Sequence, residues 1–208
     1  MLVKTFGSAV HGVDALTITI EVTAGKGIKY FIVGLPDNAV KESLKRVESA
    51  ISLSGFHMPR QKIVVNLAPA DIRKEGSAYD LPIAIGILAA SGQVATTLID
   101  KFFLMGELSL DGSIQTFRGA LPIAIQAKKE GFRGFILPKE NSREAGIVNG
   151  LEVYGMKTLT EVADFLNGSE GYQPVIVNTE EEFIRAINNY EHDFSDVKGQ
   201  ENIKRALE

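Results

Sequence analysis

An α/β (α+β) fold, with a mixed β-sheet and crossover helices, is what this 208-residue sequence predicts. Three observations carry the prediction. Strand-like and helix-like segments alternate over most of the chain, the pattern of a sheet covered by crossover helices. The first three strand candidates follow one another through short turns, which makes the sheet mixed rather than wholly parallel. Residues 81–90, LPIAIGILAA, are almost wholly apolar, so the helix they form has no wet side and belongs at the centre of the core.

Residues 2–10 and 15–22 read as strands joined by the turn GVD. In the second, LTITIEV alternates aliphatic and polar side chains, so one of its faces is expected to be wet. Residues 29–33, KYFIV, make a third strand after a turn framed by Gly25 and Gly27. A helix begins near Asp37 or Asn38. Its Val40, Leu44, Val47 and Ile51 form one stripe of an amphipathic helix, with Lys41, Lys45, Arg46 and Glu48 opposite and Gly55 as the expected C-cap. The β-branched run Ile63-Val64-Val65 is a buried strand, followed by a polar loop, 69–79, that carries Asp71, Arg73, Lys74 and Glu75. Asp80 stands where the N-cap of the apolar helix is expected, with Pro82 in the first turn. That helix, at about ten residues, is too short to cross a bilayer, which takes about 20.

FFLMGE at 102–107 is the next strand, and LDG at 110–112 signals a hairpin. Residues 119–130 are helical, with Leu121, Ala124 and Ile125 inward and Lys128 and Lys129 outward. A strand at 134–137, a short helix at 139–147, a strand at 151–154 and a helix at 158–166 capped by Thr158 complete a domain expected to span 1–168. A linker is expected at 169–193, containing a helix candidate at 180–190, and a new module from 194 onward. The last helix leaves Ile203, Ala206 and Leu207 without cover, which predicts a natural protein that continues.

The chain has no cysteine, so disulfides, thiolate zinc sites and cysteine nucleophiles are excluded. It has no long apolar run and no signal-peptide pattern, and a cytoplasmic protein with no membrane partner is expected. Charge is uneven. Residues 26–74 hold nine Lys/Arg against four Asp/Glu, and residues 139–208 hold seven against fourteen. The basic half could meet phosphates, with Lys41, Lys45, Arg46, Arg60, Arg73 and Lys74 as candidates. His11, His57 and His192 lack metal-ligand spacing, and no Walker A, GxSxG or HExxH motif occurs. No metal site is expected.

The motifs themselves carry a resemblance. GELSLDG at 106–112, the helix ending at Gly131 and ILPKEN at 136–141 resemble the second half of the Lon protease catalytic domain. Lon keeps its nucleophilic serine in a D-G-P-S-A-G turn. The matching segment here is Asp80-Leu81-Pro82-Ile83-Ala84-Ile85, so Ile83 takes the serine position and Leu121 the position of the activating lysine. Neither side chain can attack a carbonyl or accept a proton. The resemblance therefore implies a Lon-protease-domain-like (ribosomal protein S-five domain-two-like) fold without the protease. VGLPDNAVKES at 33–43, VNLAPADIRKEGSAYDLPIAIGILAASG at 65–92 and DFSDVKGQENIKRALE at 193–208 resemble, over essentially the whole chain, the YifB/ComM group of magnesium-chelatase-like AAA+ ATPases. That likeness implies a Lon-like domain ahead of a hexameric motor that binds ATP and Mg and moves DNA branch points in natural transformation. It also implies that Val197, Gly199 and Gln200 lie against the adenine in the full-length protein, with no cofactor held by this chain on its own.

Three readings follow. The domain serves ring assembly and engagement of branched or single-stranded DNA; it is a pure oligomerisation module, as the net charge of −4 favours; or it is a peptidase with a relocated nucleophile, Ser77 or Ser109.

Overall fold

The structure is a computed structural model and describes residues 1–12, 14–178 and 197–207. Two compact units emerge, Met1–Ile176 and Val177–Glu208. In the first, β1 (Leu2–His11), β2 (Asp14–Gly25) and β3 (Tyr30–Val33) precede α1 (Asn38–Leu53). β4 (Lys62–Ala68) and α2 (Asp80–Ala90) follow, then β5 (Phe102–Leu104) and the hairpin β6 (Glu107–Leu108) and β7 (Ile114–Gln115). α3 (Ala120–Lys129), β8 (Gly134–Pro138), α4 (Ser142–Gly146), β9 (Glu152–Met156) and α5 (Leu159–Leu166) end it.

Seven strands form one sheet in the order β3-β4-β2-β1-β5-β8-β9, and β6 and β7 pair separately. β2 is antiparallel to both β1 and β4, while the remaining neighbours are parallel, so the sheet is mixed as the sequence predicts. The opening strands do not form a three-strand meander: β1 and β2 make a hairpin, β4 inserts antiparallel beside β2, and β3 is displaced to the edge, parallel to β4.

The core sits between the sheet and α2. All eleven residues of α2 are buried, and the helix packs on β1 and β2 with α1 packed on it in turn. Five of those residues are Leu or Ile, each worth about 1.5–3 kcal/mol when fully buried. Gly86 lets the helix approach the sheet, because a Cβ there would lie 2.6 Å from Val22 Cγ2. β2 alternates as expected: Ile18, Ile20 and Val22 are fully buried, and Thr17, Thr19, Glu21 and Thr23 face the other way.

Four local expectations change. Asp80 is the first residue of α2 rather than its cap, because its carboxylate is drawn off to Arg46 and to the amide of Leu108. The 102–107 strand breaks after Leu104, where Met105 N–H still bonds Ile136 O before Gly106 turns to Ala78. The inward stripe of α3 is Ala120, Ile123, Ala124 and Ala127; Leu121 is half-buried and Ile125 is 54% exposed. The compact unit runs past 168 to Ile176, held by Tyr172 edge-on to Phe165 and by Val175 N–H on Val153 O at 2.7 Å. The expected helix at 180–190, most of the linker and residues 194–196 lie outside the described residues. In the second unit, residues 197–200 lead into α6 (Glu201–Leu207), where Ile203 is 56% exposed.

Candidate functional site

A cleft of about 790 Å³ opens where the end of β1, the start of β2, residues 72–79 and residues 105–118 meet. Ile72, Met105 and Phe117 give it an apolar wall, and Arg73, Glu75, Ser77, Glu107, Thr116 and Arg118 give it polar groups.

Its floor is two chain segments sewn together. Gly106 N–H donates to Ala78 O at 2.8 Å, and Leu81 N–H donates to Gly106 O at 3.0 Å. Beneath them the Asp80 carboxylate, wholly buried, accepts from Arg46 Nε at 2.7 Å, Arg46 Nη2 at 3.0 Å and Leu108 N–H at 3.2 Å. Burial pushes the Asp80 carboxyl up, and the Arg46 hydrogen bonds pull it back; the same contact raises Arg46. Tyr79 anchors the other side, its hydroxyl donating to Ser8 O at 3.1 Å; burial pushes its phenol up.

The loop before α1 steadies the outer lip. Gly34 has φ +98, and a Cβ there would lie 2.1 Å from Leu67 O, so the chain can turn tightly at this point only with glycine. Asp37 then caps α1 through Val40 N–H at 2.8 Å and reaches across to Gly76 N–H at 3.1 Å.

In the cleft, the Ser77 hydroxyl donates to the Glu107 carboxylate. Among the described lining residues there is no lysine and no histidine. Ile83 lies inside α2, wholly buried and away from the lining, and Leu121 sits on α3, also outside it. Ser109 belongs to the β6–β7 turn, where its N–H bonds Ser113 O at 2.9 Å. Of the two candidate serines, Ser77 lines this cleft and Ser109 does not; Ser77 lies three residues before the segment matched to the Lon turn. Sequence reasoning does not find its acceptor, since Glu107 lies 30 residues on and no periodicity links the two.

The six cations proposed from sequence part company. Arg46 serves Asp80 and Ala39 O. Lys74 is wholly buried, its amine donating to Pro69 O, and burial lowers its pKa. Arg73 is exposed and paired with Glu75 at 3.1 Å. Lys41, Lys45 and Arg60 stand exposed, without an ion pair among the described residues. Val197 is 44% exposed, and Gly199 and Gln200 both have left-handed backbone just before α6. Among the described residues no group of three or more His, Asp or Glu could hold a metal ion. No helix among them is long and apolar enough to cross a membrane.

Known proteins match this chain in sequence. A family model described as "Subunit ChlI of Mg-chelatase" matches residues 20–141, from the second strand through the cleft to the end of the 3-10 turn after β8. The uncharacterized protein YifB of Escherichia coli is 44% identical over 201 residues, covering 96% of this chain and 38% of that protein. Competence protein ComM of Haemophilus influenzae is 40% identical over 207 residues, covering 99% of this chain and 40% of that protein. Lon protease 2 of Bacillus subtilis is 29% identical over 126 residues, 60% of this chain and 22% of that protein. The chain thus spans 38–40% of the length of the first two relatives. With the model covering more than half of the chain, from within β2 through both segments of the cleft floor and α3 to the turn after β8, the chain belongs to the ChlI, Mg-chelatase subunit, family.

Proposed function

We propose that this chain is a non-catalytic domain of a longer, ATP-driven, hexameric DNA motor, serving ring assembly and DNA engagement during branch migration. The observation that carries the non-catalytic part is the Ser77–Glu107 contact in a cleft whose described lining lacks lysine and histidine. A serine attacks a carbonyl when an adjacent base, usually an imidazole or an amine, takes its proton. Here the hydroxyl is held by a carboxylate, and the nearest lysine in sequence, Lys74, turns its amine into the loop.

The 40% identity to a protein named for competence supports the DNA part. ATP and Mg belong to the longer protein in this reading. The exposed Val197 and the left-handed turn at Gly199 and Gln200 suit contact with an adenine edge. Cytoplasmic location is part of the same proposal.

The test is binding of branched DNA over a salt series. Lys41, Lys45, Arg60 and Arg73 are changed to Ala together, while Arg46 and Lys74 are left alone because they hold the fold. Each phosphate left without its cation should weaken binding and flatten the salt dependence, by about 0.9 in log–log slope on duplex DNA. Unchanged affinity and slope would remove DNA engagement and leave the pure-assembly reading in its place.

A further inference from the structure

The open face of the four-strand half of the sheet carries a second surface. Register puts Leu2, Thr23, Val64 and Phe31 in one row across β1, β2, β4 and β3, and Lys4, Glu21, Asn66 and Val33 in the next. All eight are exposed or half-exposed, whereas Val22, Ile63 and Val65 beside them are buried on the α2 side. α3 covers only the far end of this face, where Thr17 donates to Glu130 and Phe132 packs on Phe6. Four strands about 4.8 Å apart make the remaining platform about 14 Å wide.

Its chemistry is one-sided. The Phe31 ring is 44% exposed, with Lys62 Nζ 5.5 Å from its centroid. Lys26 and Lys29 in the β2–β3 turn and Arg60 ahead of β4 are exposed around it. No Asp or Glu occurs in residues 22–36 or 49–70. The one acid in the two rows, Glu21, accepts from Asn66 Nδ2 at 3.0 Å and pairs with Lys4 at 3.3 Å, so its charge is already met.

We propose that this sheet face binds single-stranded DNA. Phe31 stacks on a base, Lys26, Lys29, Arg60 and Lys62 meet the phosphates, and Thr23 and Asn66 offer hydroxyl and amide groups to base edges. An exposed aromatic among lysines suits an unpaired strand, because the base faces of a duplex are stacked out of reach. The proposal rests on the DNA-engagement reading and places the contact on the sheet rather than on α1.

Fluorescence anisotropy with a dT oligonucleotide of about 20 nucleotides tests it on the 208-residue chain, at about 50 and about 200 mM salt. Phe31→Ala should weaken binding about tenfold, within the range for removal of one stacked base, and Phe31→Tyr should retain it. Lys26→Ala with Lys29→Ala should weaken binding and flatten the log–log slope by about 0.7 for each phosphate no longer engaged. Lys41→Ala with Lys45→Ala should stay within about twofold, since both lysines stand on α1, away from the platform rows. These positions are exposed, and unchanged melting curves would confirm intact folds. Unchanged binding by the Phe31 and Lys26/Lys29 variants, with weaker binding by the Lys41/Lys45 variant, overturns the platform and keeps DNA engagement. So does binding of branched duplex without binding of dT. Binding of neither overturns both readings. Binding of poly-glutamate in place of dT, abolished in the same platform variants, would show a surface for an acidic protein and also overturn the proposal.

Discussion

The cleft floor and the open sheet face use charge in opposite ways. Under the cleft, Arg46 and Asp80 are committed to each other, and Asp80 also accepts from the Leu108 amide, tying α1, α2 and the β6 segment into one unit. On the open face, Lys26, Lys29 and Arg60 have no ion-pair partner among the described residues and lie in two stretches without acids, 22–36 and 49–70. Residue type alone does not separate these cases, since Arg46 and Arg60 carry the same group. Burial does: a charge in the interior must be matched, and a charge at the surface is free to meet a partner.

That contrast predicts a wide spread of effects. The largest should come from Asp80→Ala, which strands the half-buried Arg46 guanidinium and the Leu108 amide. Breaking a buried pair on one side costs about 3–5 kcal/mol, to be read as a fall in the urea midpoint at unchanged slope. A midpoint that barely moves would mean that the pair does not organise the floor. Gly86→Ala comes next. Its methyl would run into Val22 Cγ2, and overpacking of this kind costs about 1–3 kcal/mol in the same measurement. Asp37→Ala removes the cap of α1 and the tie to Gly76, worth about 0.5–2 kcal/mol, with weaker hydrogen-exchange protection at the start of α1. On the open face the balance reverses: Phe31→Ala should change stability by no more than about 0.5 kcal/mol while weakening DNA binding about tenfold.

A further small effect is that of pH on Glu21. The Asn66 hydrogen bond and then Lys4 hold its carboxyl below the usual 4.5. A lowered folded pKa contributes stability that is present above 4.5 and is lost as pH falls through the folded value. The site is partly exposed, so the contribution should be below about 1 kcal/mol, and Asn66→Ala should remove most of the acid-side slope it causes.

What is legible in the sequence depends on range. The apolar run of α2, the stripe of α1, the wet face of β2 and the Thr158 cap are local patterns, and the structure bears them out. The Asp80–Arg46 pair spans 34 residues and the Ser77–Glu107 contact 30, and no local period encodes either. Asp80 reads as a cap because a cap is the local use of an aspartate, and a distant arginine draws it away from the helix end. Hydrophobicity alone points Ile125 inward, but three alanines on α3 fit the close approach to the sheet and leave the isoleucine outside. The resemblance to Lon locates the right loop, yet only the folded chain reveals that Ile83 is sealed inside α2 while Ser77 faces the cleft.

The central question is whether Ser77 is a bystander. Treating the 208-residue chain with a fluorophosphonate probe and mapping adducts by mass spectrometry asks this directly. A non-catalytic cleft predicts no adduct at Ser77 or Ser109, and no difference from Ser77→Ala. A probe mass on Ser77 that disappears in Ser77→Ala would contradict it, and would make the cleft a working hydrolase.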